Sequence, residues 1–172
     1  MIVAESPDIY GYTIFCDDIR QEIAGKLTYV GAYHGTMIVN GQFPFLLPRF
    51  AMHFFYLQKK SVAIPPSKIV VVTPGTSEDD PFMTIEVPEE QATSAVENAR
   101  QLENAPGVTS PTFVSASSPV MLTNLVIQEA GFIKVRAVRG DEFIRLGTLR
   151  VMLAPGPQVA AGGDDPAMGL PP

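Results

Sequence analysis

Proline and glycine divide this chain into short apolar runs, many alternating or rich in β-branched residues, and that punctuation constrains the fold more than any motif. Residues 68–73 are almost wholly β-branched and sit between Pro65-Pro66 and Pro74-Gly75. Residues 82–87 alternate, with Met83, Ile85 and Val87 on one face. Residues 132–138 and 143–153 read as a hairpin about the turn Arg139-Gly140-Asp141-Glu142. In its second arm the phase of Ile144 and Leu146 gives way to that of Leu149, Val151 and Leu153. A one-residue slip at Gly147-Thr148, a β-bulge, restores a single core face. Eight or nine such strands predict an all-β fold, an antiparallel β-sandwich of immunoglobulin-like or similar kind. A closed barrel is the alternative.

The other elements follow from the same pattern. Residues 9–17 form a first strand, and residues 27–34 and 36–39 form the next two. A charged connection holding Asp17, Asp18, Arg20, Glu22 and Lys26 joins the first to the second. Asn40-Gly41 is a turn. Pro44 and Pro48 remove ladder donors, so residues 43–48 are expected to cross one end of the core as a loop. The aromatic run 49–58 has two apolar faces and belongs between layers, and residues 112–116 and 120–127 supply two more strands. One inserted helix is predicted over 88–104, where Ala92, Ala95, Val96, Ala99 and Leu102 recur at helical spacing behind Pro88, Glu89 and Glu90. Residues 1–155 then make one sandwich domain, and the Pro/Gly/Ala-rich stretch 156–172 is expected to be a disordered tail.

Composition narrows the function classes. Hydrophobic residues are 46% of the chain, enough for a sizeable core. A net charge of −6 disfavours wholesale binding to a phosphate backbone, so no nucleic-acid partner is expected. Cys16 is the single cysteine, which excludes an internal disulfide and a Cys-based structural zinc site. No apolar run approaches the length of a membrane helix, and the start of the chain carries no basic-then-apolar leader. The expectation is a soluble cytoplasmic protein without cofactor or membrane association.

The motif Phe15-Cys16-Asp17-Asp18-Ile19-Arg20-Gln21-Glu22, followed by Gly25-Lys26 and Gly31-Ala32-Tyr33, resembles an uncharacterised family of small bacterial proteins, a domain of unknown function. Residues 43–48 and the closing Gly-Phe-Ile-Lys-Val and Leu-Gly-Thr-Leu-Arg-Val patterns are similar too, so the likeness spans roughly the first 155 residues. It implies a small β-rich bacterial protein and supplies no catalytic residues.

Three chemical readings compete. Asp17, Asp18 and Glu22 could supply oxygen ligands to a divalent cation. Arg20 and Lys26 lie in the same stretch, however, so mutual neutralisation is the simpler account and no metal site is assigned. Cys16 with His34 or His53 holds the ingredients of a thiol hydrolase, but no elbow or glycine-rich motif flanks them. Arg139-Gly140-Asp141 spells an adhesion tripeptide at a place where a hairpin needs a turn. The strongest polarity is elsewhere. Residues 131–153 carry five cations, Lys134, Arg136, Arg139, Arg145 and Arg150, against two acids, a net +3 that leaves −9 on the remainder. Such polarity orients an acidic partner or neighbouring copies of the chain. The sequence therefore predicts a noncatalytic sandwich that binds a protein or assembles with itself, with those five cations as the contact. A cation-binding sandwich and a Cys/His hydrolase are the alternatives.

Overall fold

The computed structural model describes residues 7–59, 66–90, 93, 94, 97 and 113–155, and its architecture is the all-β sandwich. Among the described residues ten strands form in chain order: β1 (Ile9–Cys16), β2 (Asp18–Gln21), β3 (Leu27–Val30), β4 (Thr36–Val39), β5 (Phe45–Lys59), β6 (Lys68–Val72), β7 (Met83–Glu86), β8 (Phe113–Ile127), β9 (Gly131–Arg139) and β10 (Glu142–Leu153). One layer is a three-stranded sheet in the order β1-β5-β8, and the other is a five-stranded sheet in the order β4-β10-β9-β6-β7. A two-stranded sheet, β2-β3, is paired into neither layer. All pairings are antiparallel except β4 with β10, which is parallel.

The core lies between the two layers. Phe50, Met52, Phe54 and Tyr56 of β5 face Ile133, Val135 and Ala137 of β9, Leu146, Leu149 and Val151 of β10, and Ile69 and Val71 of β6. On β5, β6 and β9 these are the residues that alternation assigns to one face, and burying each large one stabilises the fold by about 1.5–3 kcal/mol. The layers come closest where β1 crosses β10. The Thr13 hydroxyl donates to the Leu146 carbonyl at 3.2 Å. Only small residues fit there: a Cβ on Gly147 would stand 2.6 Å from Thr13 Cβ, and one on Gly11 would collide with the Phe55 carbonyl and Leu146.

The β9–β10 register shifts between Arg145 and Gly147, so the bulge forms beside the residue expected to carry it. It returns Leu149 and Val151 to the core side after Leu146.

Several local expectations change. The predicted crossing loop over 43–48 is mostly strand: β5 begins at Phe45, which pairs with Ile127. Pro48 is tolerated because side-chain alternation reverses there. Leu47 and Leu125 face the core, and so do Phe50 and Leu122 three residues away. Asn124, opposite Pro48, absorbs the reversal with φ 56°. The two strands predicted at 112–116 and 120–127 are one strand, β8, with Pro119 inside it on the sheet's edge, where a missing donor is tolerated. The charged connection is itself a strand: β2 pairs with β3, and a short 3₁₀ turn at Ile23–Gly25 joins them. The second predicted strand ends at Val30 because Gly31 turns the chain with φ 66°. Most of the predicted helix over 88–104 lies outside the described residues, of which Glu89, Glu90, Thr93, Ser94 and Glu97 are helical and exposed. The predicted tail, 156–172, also lies outside them.

Candidate interaction face

The five-stranded sheet turns its other face to solvent, and register decides what stands on it. Cross-strand pairs place Arg150 beside Phe132, Thr148 beside Lys134, Arg145 beside Arg136 and Phe143 beside Val138. On β4, Thr36 and Ile38 point the same way, because Met37 and Val39 face the core. Val70 and Lys68 of β6 continue the outer rows past Arg136 and Val138.

A loop covers part of this surface. After β6 the chain turns at Gly75, whose φ is 90°. Ser77 N–H donates to the Asp80 carbonyl at 3.2 Å, and Asp80 N–H donates to the Ser77 hydroxyl at 3.1 Å. That reciprocal pair closes a four-residue ring carrying Glu78 and Asp79. Glu78 reaches Arg136 at 3.7 Å. Between this loop and the Gly140-Asp141 hairpin turn lies a cavity of about 460 Å³ floored by Val70 and Val138. Glu78, Asp79, Asp141 and Phe143 stand on its walls.

The five predicted contact cations therefore divide. Arg136 points outward from the sheet yet is only 8% exposed, so it is not a contact residue. Its Nη1 donates to the carbonyls of Val135 at 3.1 Å and Gly147 at 3.2 Å, which anchors the bulge. Burial, and then the facing Arg145, lower its pKa, while Glu78 acts in the opposite direction. Arg139 is engaged by Glu142 across the hairpin turn, and Gly140 supplies the positive φ the turn requires. The adhesion-like tripeptide is thus part of that turn. Lys134, Arg145 and Arg150 remain on the open part of the face, and no carboxylate pairs with them among the described residues. Sequence reasoning found these cations but missed their apolar neighbours. Ile38 is 57% exposed, Phe132 48% and Phe143 51%. The signal was present in the alternation, which puts Phe132 in phase with Lys134 and Phe143 in phase with Arg145.

The charged motif near the N-terminus is built differently from a cation site. Asp17 accepts from the Tyr33 hydroxyl. Asp18 pairs with Arg20 at 3.5 Å and with Arg49 of β5 at 3.6 Å. Glu22 is exposed in the turn. Among the described residues no three His, Cys, Asp or Glu side chains gather to hold a metal ion.

The β2-β3 hairpin lies over the outer face of the three-stranded sheet, where Cys16, Ile19 and Ala51 pack with Leu27 and Tyr29. His53 is buried beneath it, and its Nδ1 stands 2.6 Å from the Tyr29 hydroxyl. Register sets Cys16 beside Ala51 and Ile14 beside His53, so the thiol and the imidazole share a face. Burial raises the Cys16 pKa and lowers that of His53, whose Nδ1 is engaged by Tyr29. His34 is exposed in the β3–β4 connection.

No helix among the described residues is long and apolar enough to cross a membrane. No protein-family model, no curated protein and no solved structure matches the chain.

Proposed function

We propose that this protein is a noncatalytic binding or assembly module of the bacterial cytoplasm, and that it meets its protein partner through the open half of the five-stranded sheet's outer face. One observation carries the reading. Ile38, Phe132 and Phe143 are large, apolar and exposed, and they share one face with Lys134, Arg145 and Arg150. Aromatic and arginine side chains supply most of the energy of protein interfaces, while charges at the rim set orientation and encounter rate. The cations, which pair with no carboxylate among the described residues, favour an acidic, partly apolar surface on the partner. A buried thiol with a raised pKa, beside an imidazole engaged by tyrosine, supports a binding reading over thiol hydrolysis.

Affinity capture from the native host tests this with the wild type and three variants as baits. A partner retained by the wild type is lost by Arg145→Glu/Arg150→Glu and by Phe132→Ser, and is kept by Leu46→Ser, which changes an exposed residue of the other sheet. Equal capture by all the variants rejects the face.

A further inference from the structure

The outer face of the five-stranded sheet is divided by charge. On one side, β4, β10 and β9 carry Lys134, Arg145 and Arg150. On the other, the Ser77–Asp80 ring and β7 carry Glu78, Asp79, Asp80 and Glu86, all exposed. Lys68 lies among these acids and only partly offsets them. The two halves are adjacent on one surface, with buried Arg136 joined to exposed Glu78 at their boundary. A surface that is basic on one side and acidic on the other complements itself when rotated by half a turn, which is the requirement for a two-fold interface.

We infer that a second copy of this chain occupies the face, the acidic half of each protomer lying over the basic half of the other. This rests on the proposal that the face is a binding surface, and names its partner. In such a pair the cavity between the acidic loop and the hairpin turn receives cations of the second copy, with Phe143 as its aromatic wall. Ile38 and Phe132 supply the apolar contact that charge pairs alone do not. The size suits a weak, concentration-dependent pair. The five strands hold 4, 12, 9, 5 and 4 residues in sheet order, so at about 3.4 Å per residue and about 4.8 Å between strands the face covers roughly 550 Å². Two such faces bury roughly 1,100 Å², at the low end of specific interfaces. The assembly is salt-sensitive, because its charges meet at a partly solvated interface.

Sedimentation of three proteins tests the arrangement. One variant gives the basic half a net negative charge (Arg145→Glu/Arg150→Glu), and another gives the acidic half a net positive charge (Asp79→Lys/Asp80→Lys). All four positions are exposed, so both variants are expected to melt within a few degrees of the wild type. At low ionic strength the wild type runs at twice its 18.6 kDa mass, and each variant alone runs at the single-chain mass. An equimolar mixture of the two variants regains the doubled mass. Wild-type protein that stays at the single-chain mass across the micromolar range overturns the second copy as occupant. If that monomer still loses a captured host protein on Arg145→Glu/Arg150→Glu, the binding face itself stands. Dimers that survive both reversals overturn the charge-matched arrangement, and so does failure of the mixture to associate.

Discussion

The Tyr29 hydroxyl stands 2.6 Å from Nδ1 of His53, while the other ring nitrogen, Nε2, is buried without a hydrogen-bond partner among the described residues. That pair fastens the β2-β3 hairpin to the sheet beneath it. Burial holds the His53 pKa below its ordinary value of 6.5. The unfolded chain therefore binds a proton that the native protein refuses, and stability rises with pH through this region. The contribution of neutral His53 is fully present above about pH 6.5 and is lost as pH falls below it. We expect the melting temperature of the wild type to fall more steeply between about pH 8 and about pH 5 than that of His53→Phe. Parallel slopes would remove His53 from the account. Tyr29→Phe leaves Nδ1 unpaired as well and is expected to cost about 1–3 kcal/mol in urea unfolding at neutral pH.

Arg136 and Arg145 face each other across β9 and β10, yet their roles differ. Arg136→Met removes the donor that binds the Val135 and Gly147 carbonyls, and is expected to destabilise the fold by about 1–3 kcal/mol. Arg145→Met changes an exposed side chain and should stay within about 0.5 kcal/mol of the wild type. Chemical denaturation of both proteins checks the contrast.

The crossing of β1 over β10 predicts a steric pair of effects. Gly147→Ala brings its Cβ against Thr13, and is expected to cost about 1–3 kcal/mol through displaced packing. Gly11→Ala should cost at least as much, because it meets backbone at Phe55 rather than a side chain alone. Adding Thr13→Gly to Gly147→Ala opens space at the crossing. The double variant is expected to lose less stability than the sum of its single changes, in the same denaturation assay.

Cys16 is fully buried and its thiol pKa is raised by that burial. Labelling by a thiol reagent should therefore be at least about a hundredfold slower in the native protein than in urea-unfolded chain. Comparable rates in the two states would contradict the burial and revive a reactive thiol.

The fold was legible where a single physical rule acted. Alternation assigned the core faces of β7, β9 and β10, and a mid-strand phase change at glycine announced the bulge. It was less legible where two strands deform together. Pro48 on β5 signals a broken ladder, but its compensating partner is Asn124, far away in sequence and unremarkable until its positive φ is seen. The candidate face was half legible for a similar reason. The run of cations is visible in sequence, but Arg136 is removed from the surface by the long-range arrival of Glu78. The five-strand order sets Ile38 on the same surface as Phe132, although 94 positions separate them in the chain. In the N-terminal motif, Arg20 was identifiable as a partner of Asp18, whereas Arg49 comes from a strand that only the tertiary fold brings near.

The central claim is that binding occurs on the outer face of the five-stranded sheet, and photo-crosslinking from single positions tests it most directly. A photoreactive phenylalanine analogue replaces Phe132 on that face or Leu46 on the opposite sheet, both exposed in the isolated chain. Irradiation in the native host is expected to give covalent adducts from position 132, at the mass of a second chain or of a captured protein, and none from position 46. Adducts from position 46 alone, or from neither position, would contradict it.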